Sequence, residues 1–412
     1  MTRMKDSGIE WIGEVPEEWG ITKLKYICRM QSGNNLTSLE ISSENDGGKI
    51  FPVYGGNGQR GYYSDFTNEG NYCLVGRQGA LAGNVHFVSG KFWATDHAIV
   101  VYEHTHTYSK YLCYLLKAMN LNQYAFETSA QPGLSVEKIL QLEMIHCPKG
   151  EQTQIADFLD KKVAQLDEVK SLLEEQIKTL EDYRQSLIYE TVTKGLDKTV
   201  PLKDSGVDWI GQIPEGWEVG RLKDFVKFQT GTTPPQSVGV NQDESGIPWF
   251  KPGDFSDNSI DLLSSENHIT HEVVMQYNLS VYPKKTILLV GIASIGKVGY
   301  SAQPSYSNQQ ITALRTIGEI YPRYLAYLMF SSGRFIKETA LYTVVPIINN
   351  QYLATMRLVL PSENEQKIIV EYLDRKLEQI NQMIAIKKEQ IENINKQRQT
   401  LIYDYVTGKR RV

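Results

Sequence analysis

Several short stretches of the chain hold residues at spacings that chemistry uses. GIASIGKV, residues 291–298, has the G-x-x-x-x-G-K spacing of a phosphate-cradling loop. Such a loop needs Ser or Thr next, to hold magnesium, and a helix after it. Val298 stands there instead, and GKVGY reads as strand. GNGQRG, residues 56–61, fits the dinucleotide spacing G-x-G-x-x-G, but YYSDF opens no helix and no βαβ unit surrounds it. Glu365-Gln366-Lys367 after Pro361 has a carboxylate–lysine order used by metal nucleases, but its repeat carries Thr153 in place of Lys367. TPPQ at Thr233 lacks both ends of the Asp/Asn-Pro-Pro-aromatic motif for methylating the amino group of a base. His104 and His106 could share a metal on a strand, but no third ligand is evident, and an exposed turn is the simpler reading. No catalytic constellation emerges.

What remains is polar, aromatic and cationic residues on glycine-rich loops: VYGGNGQRGY, GRQGALAG, QTGTTPPQ, PWFKPGDF and SYSNQQ. Arg and Lys hydrogen-bond guanine edges, and Asn and Gln hydrogen-bond adenine edges. Lys, Ser, Thr and backbone N–H groups contact phosphates. Taken singly these are ordinary surface loops. As a set on duplicated domains they point to binding.

The elements that must position these loops follow from the chain as a whole. Its 412 residues suit two or three domains, at roughly 100–200 residues each. The net charge is −5, so the basic surplus of a small DNA-binding domain is missing. Any nucleic-acid role must rest on local patches or on a partner's charge. Cys28, Cys73, Cys113 and Cys147 form no CxxC pair, which favours reduced thiols in the cytosol over a zinc or redox site. The N-terminal stretch lacks the apolar core of a signal peptide. The apolar run over residues 286–296 falls short of the ~20 residues a membrane span needs.

Internal repetition organises everything else. KDSGIEWIGEVPEEW from Lys5 returns as KDSGVDWIGQIPEGW from Lys203, a shift of 198 positions. A second pair, beginning EQTQIADFLDKK at Glu151 and EQKIIVEYLDRK at Glu365, follows a shift of 214. The pattern is A–x–B–A–y–B, with like frames around inserts of unlike length. Leu159, Leu166, Leu173, Leu180 and Leu187 recur every seven residues, and Leu373, Ile380, Ile394 and Leu401 repeat the frame. This predicts coiled-coil helices. Ile155, Val169 and Tyr183 are expected on the other seam of the first helix, and Leu377, Ile384 and Ile391 on that of the second. Lys387 interrupts the second. Forty helical residues span ~60 Å. One long helix lying on a globular core is the alternative, but two matched helices more naturally pair with each other, antiparallel. Gly195 and Gly408 should close the helices, and Ser362 with Glu365 should open the second as a capping box. The first A phrase should then sit beside the end of the second B helix.

The inserts, roughly 20–150 and 218–361, read as mixed α/β. YCLVGR, AIVVY, TILLVG and QITALRT are strand-like, and helices begin at Ser109 and Pro322. Tyr111 to Leu115 matches Tyr324 to Leu328, and Asp96-His97-Ala98-Ile99 is aligned with Asn308-Gln309-Gln310-Ile311. The expected fold is mixed α+β: two similar globular α/β domains separated by two long antiparallel coiled-coil helices, with an internal pseudo-twofold repeat. Expected boundaries are 1–150, 151–196, 197–361 and 362–412.

The duplicated KDSGxxWIGxxPExW phrase and EQ…LD…LIY…VT helix resemble the specificity subunit of type I restriction–modification enzymes. So do PVYGGNGQRGY, LVGRQGALAGNV and FWATDHAI in the first insert, and QTGTTPP, GIPWFKPGDF, LVGIASIGKVG and SNQQI in the second. The resemblance covers nearly the whole chain. It implies that each insert is a target-recognition domain reading half of a split, asymmetric double-stranded DNA sequence. It implies that the helices set the half-site spacing and dock two methyltransferase subunits. Those partners would bring S-adenosylmethionine for adenine methylation. Two motor–nuclease subunits, where the system has them, would bring ATP and Mg²⁺. This chain would carry no cofactor and no catalysis, and would act in the cytoplasm. DNA contacts are then expected from Tyr54, Asn57, Arg60, Arg77, Gln78, Asn84 and His97 in the first insert. In the second they are expected from Thr232, Thr233, Lys251, Lys297, Asn308 and Gln309. A modification-only or other anti-phage specificity subunit, and a coiled-coil scaffold for proteins or glycans, are the alternatives.

Overall fold

The computed structural model describes residues 3–79, 82–128, 131–233, 246–277, 279–339 and 347–412, without side chains over 126–132. Residues 80–81 of GRQGALAG and 234–236 of QTGTTPPQ lie outside the described residues. The chain forms two compact units, Met1–Leu173 with Lys388–Val412, and Glu174–Lys387. Each therefore holds one insert, part of the central helix Lys149–Lys194 and part of the C-terminal helix Glu363–Val406.

In the first unit a six-stranded sheet runs in the spatial order Cys28–Ser32, Ala98–Glu103, Asn68–Gly76, Val85–Ala94, Phe51–Gly55, Gly58–Tyr63. Alternating burial along Cys28–Ser32 and continuous burial of Ala98–Val101 follow their edge and central places. The helix Ser109–Ala118 covers the sheet, burying Tyr111, Leu112, Leu115 and Leu116. Each such leucine contributes about 1.5–3 kcal/mol by leaving water.

The second unit repeats the plan. Its five-stranded sheet runs Val226–Thr230, Ile311–Thr316, Thr286–Val290, Val298–Ser301, Asp261–Leu262, under the helix Pro322–Ser331. The long strand Val85–Ala94 has two short counterparts here, Val298–Ser301 and Tyr306–Ser307. The latter joins Ile247–Phe250 and His268–Ile269 in a separate three-stranded sheet. The strands expected at YCLVGR, AIVVY, TILLVG and QITALRT and both insert helices are present.

The ladders also refine the alignment of the halves. Gly33 N–H donates to the Ala98 carbonyl and Gly231 N–H to that of Ile311, and Ser32 faces Ile99 as Thr230 faces Thr312. Ala98 therefore corresponds to Ile311, and His97 to Gln310, one position on from the sequence alignment. The shared isoleucine letters had drawn Ile99 to Ile311, where pairing places it against Thr312.

The helices pair antiparallel within each unit. In the first, the Phe158 and Tyr405 rings lie 4.5 Å apart and Arg398 meets Asp167 at 3.4 Å. In the second, Arg184 donates to Asn381 at 3.3 Å and Lys387 to Gln176 at 2.5 Å. Lys387, the interruption of the apolar frame, is thus matched by a polar partner. Leu159, Leu373 and Ile380 are buried, and Leu166, Leu173, Leu180, Leu187, Ile394 and Leu401 half-buried. The other seam of the central helix differs from expectation. Ile155 is buried, but Val169 and Tyr183 are exposed, and Val163 and Arg184 are buried instead. That seam follows the leucines by four residues, as Leu377 and Ile384 follow theirs. Counting apolar residues missed it because Arg184 is charged; its two terminal nitrogens donate to Asn381 and Asn258.

Both helices are bolted to the inserts by matched hydrogen bonds. Trp19 Nε1 donates to Glu151 at 2.9 Å, and Trp217 Nε1 to Glu365 at 3.1 Å. Gln152 accepts from Tyr108 N–H at 2.8 Å and donates to the Cys147 and His106 carbonyls. Gln366 does the same with Tyr321, Pro361 and Glu319. Asp160 accepts from Tyr114 and Lys110, and Asp374 from Tyr327 and Arg323. Burial first, and then the accepting carboxylate, push both phenols upward, so they stay protonated donors. Tyr403 donates to the Trp11 and Ile12 carbonyls and Tyr189 to that of Ile210, placing the first A phrase at the end of the C-terminal helix. Gly195 and Gly408 take left-handed φ of 70° and 73° beyond the helix ends. Ser362 accepts from Glu365 N–H at 3.3 Å, but the Glu365 carboxylate is taken by Trp217, so half of the expected capping box forms. The four cysteines are free and buried, and burial pushes the Cys28 and Cys147 thiols up to about 12.

Gln152 and Gln366 are 0% and 2% exposed. Replacing either by Ala strands one backbone donor and two acceptors, at about 1–3 kcal/mol for each group left wholly unpaired. Gln152→Ala and Gln366→Ala should each lower stability by about 2–4 kcal/mol. Urea unfolding of each variant, followed by tryptophan fluorescence, should show comparable shifts in the two.

Candidate nucleic-acid interface

The first insert brings its candidate residues to one end of the sheet by bending a hairpin. Phe92 lies opposite Asn68, while Ala98 lies opposite Gly76. Eight strand residues cover about 26 Å, yet the six-residue link from Phe92 to Ala98 reaches at most about 21 Å. The hairpin closes because it bends, with Gly70 and Gly90 facing each other in the register. Its far end then pairs parallel with Val53 and Tyr54.

Around that end the loops converge. A Cβ on Gly56 would lie 3.1 Å from the His97 carbonyl, 3.6 Å from the Gly76 Cα and 3.8 Å from the Gln78 carbonyl. Arg77 N–H donates to His97 O at 2.9 Å, and Gln78 bridges to Gly133. Asn84 donates to Asn57 at 3.2 Å. Tyr54 stands edge-on to Phe92, and the Arg60 side chain lies over Gly55. All seven candidates share one patch, with Asn57, Arg60, Gln78 and His97 exposed.

The second insert assembles a patch of different composition. Thr232 N–H donates to Ser307 O at 3.0 Å, and the Thr233 hydroxyl donates to the Gln309 amide oxygen. Asn308 donates to Gln310 at 2.9 Å, while its N–H reaches the Phe250 carbonyl. Lys251 follows Phe250, lies over the Trp249 ring at 4.7 Å and donates to Asn267 at 3.0 Å. Lys297 is placed elsewhere. It is paired with Asp257 at 3.1 Å and lines a cleft with Arg334.

The motif decoys are resolved by the same geometry. Residues 291–297 connect two strands and Val298 opens the second, with no helix following. Residues 56–61 span the turn and second strand of a hairpin. His104 and His106 are exposed, and no group of three His, Cys, Asp or Glu side chains among the described residues is placed to hold a metal. No described helix is long and apolar enough to cross a membrane.

The profile of the family described as "Type I restriction modification DNA specificity domain" matches residues 16–180 and again 214–395. The chain belongs to this specificity family. The specificity subunit of the Escherichia coli EcoprrI enzyme is 41% identical over 138 residues, 34% of this chain and 34% of that protein. The chain thus spans about a third of that relative's length in the match. The Escherichia coli EcoBI specificity subunit is 24% identical over 427 residues, covering 94% of this chain and 84% of that one. A chain solved in work on complex assembly and conformational transition of the type I R-M system shares the fold. Its TM-score is 0.71 at 17% identity, with 96% of this chain and 99% of that chain covered.

The two specificity-family matches begin 198 positions apart, the shift of the A phrase. That shift, carried a little further, sets Asn34 and Asn35 of QSGNN against Thr232 and Thr233 of QTGTT. Both asparagines are exposed, and Asn34 N–H donates to the Ala94 carbonyl beside the first patch. The reading of separate loops missed them. Asn350 is a second omission. It links Thr230 at 3.0 Å to Thr312 at 2.9 Å, and no local motif marks it.

Gly231 is the hinge of the second patch. A Cβ there would lie 2.2 Å from Asn308 O and 2.3 Å from Ser307 O, closer than atoms can approach. Gly231→Ala must push Thr232 and Thr233 away from Asn308 and Gln309. It should cost about 1–3 kcal/mol, read as a lowered urea midpoint. Gly33→Ala should do likewise, since its Cβ would meet Ala94 O at 2.2 Å.

Proposed function

We propose that this chain is the DNA sequence-recognition subunit of a type I restriction–modification complex. Residues 1–150 and 197–361 would be target-recognition domains with their frame segments. Residues 151–196 and 362–412 would be spacer and docking helices. Each domain reads one half of a split, asymmetric duplex target. The repeated frame offers two like docking surfaces, which two methyltransferase subunits require. The observation that carries the reading is the contrast between a hydrogen-bonded frame matched residue by residue and two end patches that differ. The first presents Arg60, Arg77, Gln78 and His97; the second presents Thr232, Thr233, Lys251, Asn308 and Gln309.

In this reading the chain directs chemistry done by others in the cytoplasm. The methyltransferase partners supply S-adenosylmethionine and transfer its methyl group to adenine. Motor–nuclease subunits, where present, supply ATP hydrolysis with Mg²⁺ and cleavage. The net charge of −5 is compatible with DNA binding when partners share the neutralisation of the phosphates. Affinity should still fall steeply with salt.

Selection from a random duplex pool by the purified complex of this chain with its methyltransferase tests the reading. A split motif is the expected product. With Arg77→Ala the first half of the motif should lose its definition, while the subunits still copurify. Discrimination should weaken by about 1–3 kcal/mol at each base that the arginine pairs with. Failure to enrich any sequence, at low salt and with the complex intact, would favour the scaffold reading.

A further inference from the structure

Each unit contains a cleft that the reading patches do not explain, and the two clefts are counterparts. In the first unit a cleft of about 750 Å³ is lined by Asn84, His86, Lys117, Asn120, Asn122 and Arg398, among others. In the second a cleft of about 630 Å³ is lined by Gln185, Asp257, Lys297, Arg334 and Lys337, among others. The same three elements build both. Gly83–Asn84 and Gly296–Lys297 come from the glycine loop of the insert. Lys117–Ala118 and Phe330–Ser331 come from the end of its helix. Gln399 and Gln185, 214 positions apart, come from the long helices.

The side chains differ but the sign of the charge does not. None of the described residues lining the first cleft is a carboxylate, while Lys117 and Arg398 are cations. In the second, Lys297, Arg334 and Lys337 outnumber Asp257. Some of this charge is shared. Lys297 meets Asp257 at 3.1 Å, Arg334 meets Glu338 at 2.8 Å, and Arg398 meets Asp167 at 3.4 Å. A chain of net charge −5 nevertheless presents a basic cleft twice, at equivalent positions. The remaining lining is rich in amides and hydroxyls: Asn120, Asn122 and Thr400 in one, Ser294 and Ser331 in the other. Cations, amides and hydroxyls are the groups that contact phosphate oxygens without reading sequence. Constancy of sign with freedom of side chain is what a sequence-independent contact needs, whereas the reading patches vary in kind. The first cleft also adjoins its patch, since Asn84 lines the cleft and donates to Asn57.

We propose that the two clefts seat backbone phosphates of the duplex beside each half-site. The proposal rests on the DNA-recognition reading above and adds where the strand is held. The salt dependence of binding tests it, on the intact complex with the methyltransferase, using the selected duplex and a scrambled one. Each phosphate contact contributes about 0.9 to the slope of log affinity against log salt. The double variant Arg334→Gln, Lys337→Gln should lower the slope by about 2, and Lys117→Gln by about 1. Both duplexes should be affected alike. Lys396→Gln, an exposed cation paired with Glu392 outside the clefts, should leave the slope unchanged. Slopes of the cleft variants equal to that of the control, with wild-type binding intact, would overturn the phosphate seats and leave the reading standing. Loss of the methyltransferase from the cleft variants would overturn them too, because the clefts would then serve a protein partner. No DNA binding by the wild-type complex would remove the reading and the seats together.

Discussion

The structure depends on a set of buried hydrogen bonds that fasten the long helices to the inserts. Gln152 and Gln366 show the constraint most plainly. Each side-chain amide pairs with three backbone groups that the junction of strand, loop and helix leaves without partners. Burying such groups unpaired is costly, so the helix must meet the insert in one register. Glu151 and Glu365 fix the tryptophans of the A phrases, and Asp160 and Asp374 fix the insert helices. Tyr189 and Tyr403 fix the phrases from the other side. The repeated letters EQ, LD and LIY are therefore contact positions, and the repetition of an uncommon phrase has a physical cause.

That frame was legible because hydrogen-bond partners must keep their chemical type, so they repeat as identical letters. The heptads were legible because burial is periodic. The second seam of the central helix was not, since a buried Arg184 held by two asparagines looks solvent-exposed to any count of apolar residues. The candidate patches were legible only in part. Loops rich in glycine marked where backbones converge, and Tyr54, Asn57, Arg60, Arg77, Gln78, Asn84 and His97 do come together. Lys297 was grouped with Asn308 by motif order, yet an ion pair to Asp257 holds it in a cleft. Asn350 was invisible because its partners, Thr230 and Thr312, are distant in sequence. The one-residue misalignment of His97 arose because two isoleucines matched where strand pairing does not.

A constant frame with variable ends also gives a physical account of how specificity can change. The hydrogen bonds that orient each insert lie at the helices, while the residues proposed to read DNA lie on loops at the sheet's end. Substituting a loop residue leaves the frame's buried partners untouched. The cost of a new specificity is then local, provided that close backbone approaches such as Gly231 to Asn308 are kept.

The most direct test is to co-express this chain with its methyltransferase in a host free of DNA methylation and to map modified adenines by long-read sequencing. The account predicts a split motif, methylated on both strands, that appears only when both proteins are present. Subunits that copurify but leave the genome unmethylated would contradict it, because the frame would then be intact while the inserts read no DNA.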